Sequence, residues 1–275
     1  MLPIILGLFL GVLFCGGTVL AAPIEDESFF YVKKNKVEVT VSNESVAPHS
    51  VYGNWKAMSL QYSQKAAVDF TWFAQFDMFA RNAVSGGNGN LATLGAYKDW
   101  NDSFYTYTAF SAGSKVDYLQ KFRVDHNFYL KFGADKQYVW NIGGSYIDYH
   151  NDRSDKILST GITVYDNRWS YSFDILRTVS SPGSVTSYTR QFTITQGKER
   201  QAIGELVYAY GKEAYLAADV LLPMETRNNS KLWSFSYRRW LGLERDHGYV
   251  FGVSYFDLQD GYRSTTFSFG LFREY

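Results

Sequence analysis

The sequence predicts an all-β fold: a closed, antiparallel transmembrane β-barrel of about fourteen strands, with about twelve as the competing count. Three observations predict it. Apolar and polar residues alternate over segments of about ten residues, close to the roughly 9–11 a tilted strand needs to cross a bilayer and longer than the usual soluble strand. The polar faces of these segments hold Ser, Thr, Gly, Asp, Arg and Gln, the mixture expected of a wet lumen. Tyr or Trp stands near the ends of the apolar faces: Trp140 and Tyr146 bracket Ile142, and Trp233 and Tyr237 bracket Phe235. Such rings favour a bilayer interface, where one end of the side chain is wet and the other dry.

Composition agrees. The chain of 275 residues has 22 Tyr, 21 Phe and 7 Trp, yet its mean hydropathy is negative, so its rings alternate with polar residues rather than cluster in runs. Lys plus Arg and Asp plus Glu both number 27, and no basic run occurs, which argues against a nucleic-acid partner.

The first element read along the chain is a targeting signal. Residues 4–20 are an apolar run followed by A-A-P and the acidic E-D-E. An apolar core ending in small residues is the pattern of a secretory signal peptide, here residues 1–21 with cleavage after Ala21. A retained anchor is the alternative, because no Lys or Arg lies within Met1–Leu10. The one cysteine, Cys15, lies inside this run, so the processed chain carries no disulfide. Residues 22–50 read as a polar periplasmic leader in which V-E-V-T-V at Val37–Val41 is only a short alternation. The barrel is then expected over residues 51–275, with Trp55 opening its regular part.

Within the barrel, Phe70, Trp72, Phe76 and Met78 share one face, against Asp69, Thr71, Gln75 and Asp77 on the other. Phe122, Val124, Phe128, Leu130 and Phe132 likewise oppose Lys121, Arg123, Asp125, Asn127 and Lys131. Trp169, Tyr171, Phe173 and Ile175 oppose Ser170, Ser172 and Asp174, and Trp233, Phe235 and Tyr237 oppose Ser234, Ser236 and Arg238. Turns are expected at Gln64–Lys65, Asp166–Asn167, Ser181–Gly183, Gly211–Lys212 and Gln259–Gly261. In lipid no water can satisfy a free sheet edge, so the last strand must close on the first, and an even strand count puts both ends of the barrel on the periplasmic side. The last strand, S-T-T-F-S-F-G-L-F-R-E-Y, turns Phe267, Phe269, Leu271 and Tyr275 to one face. An aromatic terminal strand of this form looks like the sorting signal read by the barrel assembly machinery. Arg273 departs from that pattern, and its stem can carry the charge to the membrane edge.

The stretches Y-V-W-N-I-G-G-S-Y-I-D-Y, I-L-S-T-G-I-T-V-Y-D-N-R-W-S-Y-S-F-D-I-L, A-Y-G-K-E-A-Y-L and S-F-S-Y-R-R-W-L resemble the YaiO-like outer-membrane β-barrel family. The resemblance runs from about Trp55 to Tyr275. It implies an outer-membrane location and an association with envelope polysaccharide in some relatives, and it supplies no catalytic residue. The helical-repeat module of some relatives is missing from this sequence, so the resemblance does not extend to a complete export apparatus.

Candidate functional residues follow from the faces. Asp69, Asp77, Lys121, Arg123, Asp125, Asp174, Glu205, Asp219 and Arg238 are expected to line the lumen. There they would either select a small hydrophilic solute or pair across strands and hold the register. His126 falls between Val124 and Phe128 on the apolar face, which raises a lipid-modifying enzyme with a serine such as Ser145 as nucleophile. The histidines have no metal-ligand spacing, and neither metal nor cofactor is expected. The leading expectation is therefore a non-enzymatic conduit or envelope component of the cell outer membrane. Its partners would be outer-membrane lipids, the assembly machinery, and a polysaccharide or small solute. The alternatives are the His126 enzyme and a soluble periplasmic protein that binds carbohydrate through its aromatics.

Overall fold

A computed structural model describes residues 34–82, 87–216, 225–259 and 261–275. The signal segment at 1–21, the first part of the predicted leader and Asp219 lie outside the described residues. The strands are β1 Asn35–Ala47, β2 Asn54–Ala67, β3 Phe70–Arg81, β4 Gly87–Asn101, β5 Phe104–Gly113, β6 Gln120–Phe132 and β7 Tyr138–Tyr149. They continue with β8 Ser154–Asp166, β9 Trp169–Ser181, β10 Val185–Lys198, β11 Ala202–Leu216, β12 Glu225–Leu241, β13 His247–Leu258 and β14 Arg263–Glu274. A single helical turn, α1 His49–Tyr52, joins β1 to β2.

Each strand pairs antiparallel with its neighbours in sequence, and β14 returns to β1, so the sheet is a closed barrel of fourteen strands. Closure runs from Lys36 opposite Glu274 to Ala47 opposite Arg263. Asn35 and Tyr275 exchange backbone hydrogen bonds at 3.0 and 2.9 Å, which places both ends of the barrel at one rim, the terminal end. The opposite rim, with α1, is the distal end.

Alternation assigns the faces. Leu60, Phe76, Leu94, Phe110, Phe128, Leu158, Phe192, Leu206, Phe235 and Phe269 are exposed on the outside of a closed sheet. Glu44, Asp77, Thr93, Ser111, Asp125, Ser187, Thr195 and Ser268, on the opposite faces, are buried inside. Water would not tolerate so wide an apolar exterior on a monomer, whereas hydrocarbon does. Exterior indoles near the rims satisfy their N–H locally: Trp72 donates to Gln64 at 3.0 Å, Trp100 to Thr106 at 3.0 Å and Trp140 to Thr160 at 3.1 Å.

Strands in a closed barrel tilt, and the pairing shows which way. One row of inward residues passes from Lys36 through Ser63, Phe73, Gly95, Ala109, Asp125, Ser145, Ile157 and Thr178 to Ser187. It starts at the terminal end of β1 and finishes at the distal end of β10, so each row climbs around the wall.

The structure corrects three expectations. The barrel begins at Asn35, inside the predicted leader of residues 22–50, because V-E-V-T-V is the regular part of β1, with Val41 exposed outside and Glu44 and Val46 buried inside. Gly211–Lys212 is not a turn, since β11 runs through it. The turn expected at Gln64–Lys65 falls at Val68–Asp69.

Candidate functional site in the barrel lumen

The inward charges sort into separate groups. Asp77 is buried and accepts two hydrogen bonds from Gln75. Arg123 grips Asp125 through Nε and Nη2 at 2.7–2.9 Å, and Ser145 donates to the same carboxylate. Asp174 accepts from Asn141 Nδ2 at 3.0 Å, and Glu205 accepts from Thr195 at 3.4 Å. Near the terminal end Arg238 pairs with Glu38 at 2.9 Å, Lys36 reaches the same carboxylate at 3.4 Å, and Arg200 approaches Glu274 at 3.8 Å. In this last group Arg238 ties β12 to β1, and Arg200 ties the turn between β10 and β11 to β14.

Two of the expected lumenal charges lie elsewhere. Asp69 sits in the two-residue turn between β2 and β3, paired with Lys98. The hydrogen bond from Lys98 holds its carboxyl below the usual carboxylate range. Lys121 occupies the irregularity between Gln120 and Phe122 in β6, largely exposed, 3.4 Å from Asp148. A bulge puts one extra residue into a strand and re-aims it, so strict alternation misplaces Lys121. Of the terminal-strand residues, Phe267, Phe269, Leu271 and Tyr275 are all exposed on the exterior.

His126 and Ser145 do not form a catalytic pair. His126 faces outward, with Nδ1 2.7 Å from Thr108 Oγ1 and its ring edge-on to Phe128 at 4.5 Å. Ser145 faces inward on Asp125, so the sheet lies between them. The bond with Thr108 gives the imidazole a partner on the apolar exterior. Among the described residues no group of three His, Cys, Asp or Glu could hold a metal ion.

The densest unassigned chemistry is a row across β5 to β10. Tyr105 stands opposite Tyr129, Tyr129 opposite Asn141, Asn141 opposite Gly161, Gly161 opposite Asp174, and Asp174 opposite Gln191. The rings of Tyr105 and Tyr129 stack in parallel, with centroids 4.4 Å apart and planes 3° apart, and Lys131 Nζ lies 5.0 Å over Tyr105. Gly161 makes the polar half of the row possible: a Cβ there would come within 2.0 Å of Asp174 Oδ1. Gly95 gives similar room to an aromatic ring nearby, since a Cβ there would strike Phe73 at 2.4 Å. Phe73 in turn stacks near Tyr107 with centroids at 6.4 Å, and Tyr107 is 4.8 Å from Tyr97. All four tyrosines are only partly buried, as are Asn141 and Asp174, so the row faces lumenal space rather than a packed core.

The distal mouth is different. Val46, Tyr52, Trp55, Leu232, Phe256, Leu258 and Tyr262 form a buried apolar cluster inside the wall. The loop between β5 and β6 also folds in, burying Tyr118 and Leu119. Arg81 joins these features, its guanidinium 4.2 Å over the ring of Trp55 and 3.8 Å over that of Tyr118.

Comparison with known proteins places this barrel. Its shape is similar to that of a bacterial polysaccharide outer membrane secretin (TM-score 0.57, 6% identity, 90% of this chain and 100% of that one). It is also similar to the CymD monoaromatic hydrocarbon channel (TM-score 0.59, 6% identity, 88% and 89%) and to Pseudomonas aeruginosa OccK7 (TM-score 0.52, 8% identity, 89% and 99%). No curated protein sequence matches the chain. The family model described as YaiO membrane beta barrel domain matches residues 34–216, from the start of β1 to the end of β11. The protein is an outer-membrane β-barrel of porin-like architecture, and the chain belongs to the YaiO membrane beta barrel domain family.

Proposed function

We propose that the barrel is a non-enzymatic conduit of the outer membrane that binds carbohydrate in its lumen, in the service of surface polysaccharide. The terminal end faces the periplasm, and the exterior aromatics of β14 are read by the assembly machinery. One observation carries the reading: the row in which stacked Tyr105 and Tyr129 adjoin the hydrogen-bonded pair Asn141–Asp174 and Gln191. A sugar ring has apolar C–H faces and a hydroxyl edge. Flat aromatic rings can cover the faces, while an amide, a carboxylate and a second amide offer donors and acceptors for the edge. Barrels of this shape include a polysaccharide secretin and a hydrocarbon channel, so shape alone does not choose the cargo. The mixed row favours the sugar, because a bare hydrocarbon would leave Asn141, Asp174 and Gln191 without new partners.

The test is planar-bilayer recording of the refolded chain with a panel of hexose and amino-sugar oligosaccharides. The expected result is a steady conductance that oligosaccharides block transiently, with the block weakened at least about tenfold by the Tyr129→Ala, Asp174→Asn double variant. A silent bilayer at high protein load would oppose the conduit. Conductance without block would oppose the sugar.

A further inference from the structure

The exterior of the distal rim carries an arc of positive charge that the lumenal reading does not use. Lys156 on β8, Arg177 on β9, Arg190 on β10 and Lys231 on β12 all face outward and are exposed. The pairings set their spacing. Arg177 stands opposite Tyr188, two residues from Arg190, and Arg190 stands opposite Tyr210, which stands opposite Lys231. Lys156 stands opposite Val179, two residues from Arg177. Because hydrogen-bonded rows climb from β1 toward β10, a ring at constant height must step back along the strands, and these two-residue steps follow that slope. Lys156, Arg177 and Arg190 therefore lie close to one level, and Lys231 extends the arc two strands further along the row of Arg190. Diagonal cross-strand neighbours such as Arg177 and Arg190 lie about 7–8 Å apart at the backbone, within reach of a common anion for side chains of this length.

Both rims carry exposed exterior cations, Arg239 and Arg273 at the terminal end among them, and some of the rim charges are paired. At the terminal end Lys98 pairs with Asp69, Lys136 with Asp102 at 3.5 Å and His247 with Asp246 at 2.7 Å. Along the distal arc no carboxylate among the described residues lies within ion-pair distance of Lys156, Arg177 or Arg190. Carboxylates appear at its ends, where Lys121 pairs with Asp148 and where Asp257, directly opposite Lys231, pairs with Arg263. Tyr210 lies under the guanidinium of Arg190 at 5.5 Å and holds it against the wall. Guanidinium groups at a bilayer interface suit phosphate, to which they can bond through two N–H groups.

We infer that this arc binds the phosphate groups of a phosphorylated glycolipid in the outer leaflet, fixing the barrel in the membrane with its distal end outward. The interaction is a headgroup contact on the lipid side of the wall, independent of what passes through the lumen.

The experiment uses the full chain refolded in detergent, with bis-phosphorylated lipid A, the same lipid stripped of phosphate, and inorganic phosphate as probes. Binding is read by native mass spectrometry and by the temperature at which the compact band on an unheated gel gives way. The bis-phosphorylated lipid should remain bound and raise that temperature, with affinity falling as salt is added. Arg177→Gln with Arg190→Gln should weaken it at least about tenfold, and Lys98→Gln with Lys136→Gln at the other rim should not. Equal binding of the stripped lipid, which needs no variant, would overturn the inference. So would unchanged affinity in the distal variant, or full displacement of the lipid by millimolar inorganic phosphate.

Discussion

Replacing Arg81 by Ala lowers the stability of the barrel by about 2–4 kcal/mol and loosens its distal mouth. Arg81 is 7% exposed, and its guanidinium is held between the rings of Trp55 and Tyr118. Desolvated cation–π contacts of this kind contribute on the order of 2 kcal/mol each. Glu44, also buried, faces the same space, with Trp55 between them on one hydrogen-bonded row. Removing the guanidinium also takes a positive charge away from the space that Glu44 faces. The loop carrying Tyr118 and Leu119 also loses its clamp, although Tyr118 still donates to the Gly87 carbonyl at 2.9 Å. Two measurements check this: the temperature at which the compact band is lost, and chymotrypsin cleavage after Tyr118 in intact proteoliposomes. Arg81→Lys should recover some of the stability but not the full protection of the loop, because an ammonium cannot lie flat between two rings.

Adjacent residues in β10 should differ sharply when each is changed to Arg. Phe192 faces the exterior, 4.7 Å from Phe173, near the middle of its strand. A cation there meets hydrocarbon, and Phe192→Arg should cost about 2–4 kcal/mol in reversible unfolding from lipid vesicles. Thr193 faces the lumen on the row that joins Ser172 to Val207, one residue pair from Glu205. Thr193→Arg should stay within about 1 kcal/mol of the parent, since the charge reaches water and a carboxylate. Equal costs at the two positions would mean that the wall does not separate lipid from lumen.

These contrasts also explain how much the sequence disclosed. Strands with rings on one face and small polar residues on the other were legible, as in β9, where Trp169 and Tyr171 are exposed outside and Ser170 is buried inside. The exterior of β14 was legible for the same reason. In β5 the pattern inverts: F-Y-T-Y-T puts Tyr105 and Tyr107 in the lumen and Thr106 and Thr108 on the exterior. Pairing resolves what periodicity could not, because Trp100 covers Thr106 and His126 bonds Thr108. The lumenal tyrosine row was hidden there, since rings on a wet face look like a change of register. One signal could have found it: Tyr129 falls in step with Asn127 and Lys131, not with Phe128 and Leu130. The lumenal charges at Asp77, Arg123, Asp125, Asp174, Glu205 and Arg238 followed from simple alternation. Lys121 and Asp69 did not, because a bulge and a turn interrupt it. β1 was missed since its exterior is aliphatic and short, without the rings that marked the other strands.

The central claim is that one wall separates lipid from lumen with a period of two residues. It is tested most directly by placing a single cysteine, in a chain with Cys15 replaced by Ser, at each position from Phe122 to Phe132 of β6 in turn. Each is labelled with an environment-sensitive fluorophore and quenched with brominated lipid. Quenching should be strong at Phe122, Val124, His126, Phe128, Leu130 and Phe132 and weak at the five positions between them. Uniform quenching along the strand, or none at any position, would contradict the barrel.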